Sequence, residues 1–133
     1  MIVADTNLIA YFLIKSGFTP DARAVYQKDP DWIAPLLWRS EQRNVLIQSL
    51  RHGFLSLDEI LSIMNRAEGL MKDNGYQMDS SQVLRLAAGS GCTAYDCEFV
   101  ALALDLGVPL VTEDRALIEK FKPTAVSLKT FCA

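Results

Sequence analysis

The sequence predicts an α/β fold in which a central parallel sheet is covered on both faces by helices. Short apolar runs of strand length, as in Ile2-Val3-Ala4, Trp32-Ile33-Ala34 and Val108-Pro109-Leu110-Val111-Thr112, alternate with segments of helix length that carry their own start and stop signals. Strands that alternate with helices pair in parallel through right-handed crossovers. The 133 residues, 50% hydrophobic, contain no repeat, linker or low-complexity tract, so one globular domain over residues 1–133 is expected.

The first strand ends at Asp5-Thr6-Asn7, and residues 8–14 then form a helix that Lys15-Ser16-Gly17 stops. This apolar stretch has no basic segment before it and is far shorter than the ~20 residues that span a bilayer, so neither export signal nor membrane anchor is expected. Thr19-Pro20-Asp21 supplies an N-cap, a first-turn proline and an early acid for a second helix to Gln27. After the strand at Trp32, Pro35 opens a long helix with Leu37, Val45, Leu46 and Leu50 on one side, closed by Gly53.

Ser56-Leu57-Asp58-Glu59 is a capping box for a helix that is apolar at Ile60, Leu61, Met64, Ala67 and Met71 and stops at Asn74-Gly75. Tyr76-Gln77-Met78 reads as a short strand, Ser80 or Ser81 caps a helix to Ala88, and Gly89-Ser90-Gly91 breaks it. Thr93 starts a strongly apolar helix that Gly107 closes. The strand leading to Thr112 ends at Glu113-Asp114, a helix follows from Arg115 to Phe121, and Ala125-Val126-Ser127-Leu128 completes the alternation. Met64, Met71 and Met78 are expected to fill core gaps.

A net charge of -3 is opposite to the basic footprint of proteins that hold nucleic acid by phosphate neutralisation, so any such contact is local or bridged by metal. Three cysteines without a CxxC pair and a single histidine, His52, do not make a zinc site. Free thiols fit a reducing compartment, and a cytoplasmic location is expected.

Four acids stand out. Asp5 and Asp114 directly follow predicted strands, where open parallel sheets bind ligands, although each reads equally well as a helix N-cap. Asp96 sits in a first turn, where the helix dipole favours an acid, and Glu41 lies within a helix between Arg39 and Arg43. Two carboxylates ~4 Å apart repel by about 4 kcal/mol at an effective dielectric near 20, so four converging acids would call for a dication. Hard cations take such oxygen ligands.

The ordered set Asp5-Thr6-Asn7-Leu8, Glu41-x-x-Asn44, Tyr95-Asp96 and Thr112-x-Asp114 resembles the PIN-domain nuclease family, in particular its VapC-type toxin ribonucleases. The likeness is strongest from Tyr95-Asp96 through Val111-Thr112-Glu113-Asp114. Leu37-Trp38-Arg39-Ser40, ahead of Glu41, is more polar than is usual there.

The resemblance implies a three-layer α/β/α fold and Mg²⁺- or Mn²⁺-dependent endonucleolytic cleavage of RNA. In it, Asp5, Glu41, Asp96 and Asp114 are the metal-binding catalytic acids, and Thr6, Asn7, Asn44 and Thr112 are polar supports. It also implies a homodimeric toxin silenced by a small antitoxin protein. Arg39 and Arg43 are candidates for contact with a substrate phosphate, or for pairing with Glu41. Two rival readings are a non-catalytic RNA-binding or assembly module on the same fold and a phosphoacceptor signalling domain.

Overall fold

A computed structural model describes residues 1–72 and 75–133 of the chain. Among these residues the elements run β1 (Ile2–Ala4), α1 (Thr6–Leu13), α2 (Thr19–Lys28), β2 (Trp32–Pro35), α3 (Leu37–Arg51), α4 (Leu57–Met71), β3 (Gly75–Tyr76), α5 (Ser80–Ser90), α6 (Ala94–Leu106), β4 (Leu110–Val111), α7 (Arg115–Lys120), β5 (Ala125–Val126) and α8 (Leu128–Cys132).

The sheet has the order β3-β2-β1-β4-β5, with all pairings parallel. The chain winds outward from β1 in one direction through β2 and β3, then crosses to the other side for β4 and β5. The β1/β4 boundary is therefore the topological switch point, where open α/β sheets form a crevice beyond the strand C-termini. Helices α1 to α4 and α8 pack among themselves, and α6, backed by α5, lies against β1, β2 and β4. The result is the three-layer α/β/α fold that the sequence predicts.

The central strands are buried throughout, as parallel strands under helices must be. Ile2, Val3, Ile33, Leu110 and Val111 join Leu8 and Ile9 of α1 and Phe99 and Val100 of α6 in the main core. Each such buried large side chain contributes roughly 1.5–3 kcal/mol. Met71 is fully buried in this core, and Met64 and Met78 pack against it, as expected of gap-filling methionines. Gly75 pairs with Ala34 at the β3 edge, where a Cβ would collide with the Leu36 side chain.

Several local expectations need correction. Thr19 does not cap α2; its hydroxyl donates to the carbonyl of Tyr11 at 2.7 Å and accepts from the Ser16 N–H at 2.9 Å, tying the loop to the end of α1. Pro35 closes β2, and the buried seam of α3 is Trp38, Gln42 and Leu46, one residue every turn or so. In α4 it is Ile63 that is buried, whereas Leu61 is exposed.

The cap of α5 is Asp79, one residue before the expected serines. That helix runs on through Gly89 and Ser90, and Gly91 ends it at φ 77°. The run after Ala125 is a two-residue strand followed by α8, which Ser127 caps. The expected stop at Asn74 lies outside the described residues. The Ser56 capping box, the Thr93 cap and the left-handed Gly107 stop are all present. Among the described residues no helix is long and apolar enough to cross a membrane, and Cys92, Cys97 and Cys132 are free thiols.

Candidate metal and active site

The register at the switch point sets the site. Ala4 pairs with Val111, and the Asp5 N–H donates to the Val111 carbonyl at 3.3 Å, so Asp5 emerges beside Thr112 at the C-terminal edge of the sheet. The Thr112 hydroxyl donates to Asp5 Oδ2 at 2.6 Å and accepts from the Asp114 N–H at 3.0 Å. Thr112 is completely buried, and it fixes one carboxylate and the backbone of the next.

Both aspartates also cap helices. Asp5 accepts from the Thr6 N–H at 2.8 Å and begins α1, and Asp114 Oδ1 accepts from the Leu117 N–H at 3.1 Å and begins α7. The capping reading and the clustering reading are compatible, because a cap occupies one carboxylate oxygen and leaves lone pairs on the other.

Glu41 comes from α3, whose N-terminus follows β2. Its Oε1 accepts from the buried Thr6 hydroxyl at 2.7 Å, which orients it toward the start of α1. Asp96 stands in the first turn of α6, its N–H bound to the Thr93 hydroxyl at 3.0 Å. Four segments distant in sequence thus deliver their acids to one edge of the sheet.

The acids sense one another. Burial pushes the pKa of Asp5 up to about 6; the Thr112 hydrogen bond opposes this, and the charges of Glu41 and Asp96 add to it. Glu41 is raised first by burial and then by Asp96 and Glu98, against the Thr6 hydrogen bond. Asp96 is raised by burial and by Asp114. Among the described residues no lysine or arginine forms an ion pair with any of the four.

A hard dication fits this donor set in charge and chemistry. The ligating atoms are carboxylate oxygens, their partners are neutral hydroxyls and N–H groups, and a buried negative cluster without a counterion is costly. As the side chains stand, however, no three acid, imidazole or thiol groups among the described residues are gathered closely enough to enclose an ion. The four acids form one electrostatic cluster rather than a finished coordination shell, as expected of carboxylates that repel.

The remaining expected residues fall at the margin or outside. Arg39 does not pair with Glu41; it donates to Glu68 Oε2 on α4 at 2.6 Å and lies 5.5 Å from the Trp38 ring centre. Arg43 is exposed on α3 and in no ion pair among the described residues. Asn7 and Asn44 are exposed and make no side-chain hydrogen bond among the described residues. His52 ends α3, about 16 Å along the helix from Glu41.

Four neighbours were not legible from sequence. Glu98 adds charge beside Glu41, and Glu113 adds charge beside Tyr11. The Tyr11 hydroxyl has a raised pKa because of burial and the nearby Glu113 and Asp5. Gln42, next to Glu41, is fully buried, with neither amide atom hydrogen-bonded among the described residues. Glutamates beside motif aspartates gave the only signal; nothing local marks Tyr11 or Gln42.

Over 123 residues the chain is 28% identical to Ribonuclease VapC3 of Pyrobaculum aerophilum, an alignment covering 90% of this chain and 94% of that protein. The resemblance to VapC-type ribonucleases is borne out. No protein-family model matches the sequence. In fold, the chain is similar to the crystal structure of PAE2754 from Pyrobaculum aerophilum, with a TM-score of 0.78 over 98% of this chain and 92% of that one, at 21% identity. That likeness concerns the architecture, and it agrees with the parallel three-layer sheet described above.

Proposed function

We propose that residues 1–133 form a single VapC-type nuclease domain, a Mg²⁺- or Mn²⁺-dependent endoribonuclease that hydrolyses RNA phosphodiester bonds. The observation that carries this reading is the meeting of Asp5, Glu41, Asp96 and Asp114 at the switch-point edge with only neutral hydrogen-bond donors around them. The similarity to Ribonuclease VapC3 supports the substrate class.

In this reading Asp5, Glu41, Asp96 and Asp114 hold the ion. When bound, it supplies Lewis acidity toward water and the scissile phosphate and neutralises charge that develops on the leaving oxygen. The chain's own part is preorganisation. Thr112 fixes the Asp5 carboxylate and the Asp114 backbone, Thr6 fixes Glu41, and the buried β1/β4 pairing holds both threonines rigid. No histidine takes part, since His52 lies at the far end of α3. Arg43, exposed and in no ion pair among the described residues, is the candidate in this reading for contact with a substrate phosphate.

As a VapC-type toxin the chain would act as a homodimer in the cytoplasm and be silenced by a small antitoxin protein. A phosphoacceptor domain is disfavoured by the strand order, which is 3-2-1-4-5 rather than the 2-1-3-4-5 of flavodoxin-like signalling folds. A non-catalytic RNA-binding module is separated by experiment. Purified chain is incubated with defined RNAs and DNAs in Mg²⁺, Mn²⁺ or chelator. Cleavage confined to RNA with a divalent ion is the expected result, whereas RNA binding without cleavage in either metal would favour the module.

A further inference from the structure

Tyr95 is 63% exposed at the N-terminal turn of α6, and among the described residues its side chain has no hydrogen-bond or ring partner. An exposed aromatic ring is unremarkable by itself; its position gives it meaning. With 3.6 residues per turn, Tyr95 projects from α6 about 100° from Asp96 on one side and about 60° from Glu98 on the other. Those two acids are the ones on α6 whose charges raise the pKa of Glu41. The tyrosine ring therefore leaves α6 between the two acids that act on Glu41, at the edge of the acidic cluster.

The same turn borders a groove. Ala94 and Glu98 of α6 form one wall, and Met78, Val83 and Leu84 supply an apolar wall from α5 and the segment before it, enclosing about 310 Å³. Leu84, 62% exposed, leaves this wall open to solvent. A flat ring and an apolar groove flanking a nuclease centre match the needs of a nucleobase, which has two apolar faces and a polar edge.

The charge of the chain points the same way. A chain of net charge -3 with a clustered acidic site gains little from phosphate neutralisation, so affinity for a polyanion has to come from the bases as well as from the ion. Stacking on an aromatic ring needs no positive charge and tolerates every base.

We propose that Tyr95 is a stacking platform for an unpaired RNA base next to the scissile phosphate, with the α5/α6 groove receiving the neighbouring nucleotide. The proposal rests on the ribonuclease reading above and names single-stranded rather than duplex RNA as its substrate. The ring acts by binding and placing the strand.

The test uses the full chain carrying Asp5→Asn to prevent turnover, titrated in Mg²⁺ with a short fluorescein-labelled single-stranded RNA and read by anisotropy. Adding Tyr95→Ala is expected to weaken binding about tenfold, the scale of one lost base stack, while Tyr95→Phe stays within about twofold. An abasic site walked along the RNA should find one position where the base's removal weakens binding equally and makes Tyr95→Ala silent. In the otherwise native chain, Tyr95→Ala should lower kcat/KM for single-stranded RNA with the melting temperature unchanged. Unchanged Kd and kcat/KM for Tyr95→Ala, or equal losses for Tyr95→Phe and Tyr95→Ala, would overturn the platform while RNA cleavage by the native chain left the nuclease intact. Native chain that neither cleaves nor binds RNA would instead remove the ribonuclease reading, and the platform with it.

Discussion

Removing the charge of Asp5 should stabilise the protein at neutral pH when no divalent ion is present. Its carboxylate accepts from Thr112 and from the Thr6 N–H, yet burial and the neighbouring acids still lift its pKa from 3.8 to about 6. The folded state thus holds the proton more tightly than the unfolded chain. Stability falls as pH rises from about 4 to about 6, and above that the full penalty is in place. A pKa displaced this far corresponds to at most about 3 kcal/mol, an upper bound because Asp5 keeps some contact with solvent and is screened there.

Asp5→Asn removes that penalty but leaves the Thr112 hydroxyl proton without its carboxylate acceptor, a loss of about 1 kcal/mol. The balance is a gain of about 1–2 kcal/mol at pH 7.5, or roughly 3–6 °C in Tm for a chain of this length. The assay is thermal or urea unfolding of both proteins in chelator at pH 7.5 and pH 4. Near pH 4, where the native Asp5 is already protonated, the variant should have lost its advantage. With Mn²⁺ at a hundred times its dissociation constant, the native protein should gain about 2.7 kcal/mol and the variant much less. Equal pH dependence in the two proteins, or a variant less stable than the native chain at pH 7.5 in chelator, would refute the reasoning.

Three further outcomes follow from the same geometry. Thr112→Val should cut Mn²⁺ affinity or RNA cleavage by roughly 10–100-fold, measured by calorimetry and single-turnover kinetics, because it frees Asp5 and the Asp114 N–H together. Gln42→Met should raise stability by about 1–3 kcal/mol in urea unfolding, since the buried amide has no partner among the described residues and the thioether fills similar space. Arg43→Ala should weaken RNA binding and reduce the salt dependence by about one charge; Arg39→Ala, whose guanidinium serves Glu68, should change stability by less than about 1 kcal/mol and leave the salt slope alone.

The strand-and-helix alternation was legible because the central strands β1, β2 and β4 are buried throughout and α4 and α6 carry strong caps at Ser56, Thr93 and Gly107. Asp5 and Asp114 could be placed for the same reason: they follow strands directly, and the backbone fixes where they emerge. Glu41 was harder, since a glutamate in a helix gives no sign of its partner. The bond from Thr6 that orients it spans 35 positions of sequence.

The misreadings share one cause, which is tertiary contact overriding a local signal. Thr19 looks like a cap but ties down a loop. Arg39 sits between motif residues but turns toward α4, where Glu68 waits. Gln42 occupies the buried seam of α3 despite being polar, so apolar spacing pointed to a different face of that helix. No pattern of residue types encodes those choices, because each depends on which element lies opposite.

The alignment of β1 on β4 has a consequence of its own. Ala4 faces Val111, and the two residues that follow them share a hydrogen bond. A slip of one position would send one of that pair to the wrong side of the sheet and would turn over the apolar side chains of a whole buried strand with it. The packing that forbids the wrong offset is therefore the same packing that brings the threonine to the aspartate.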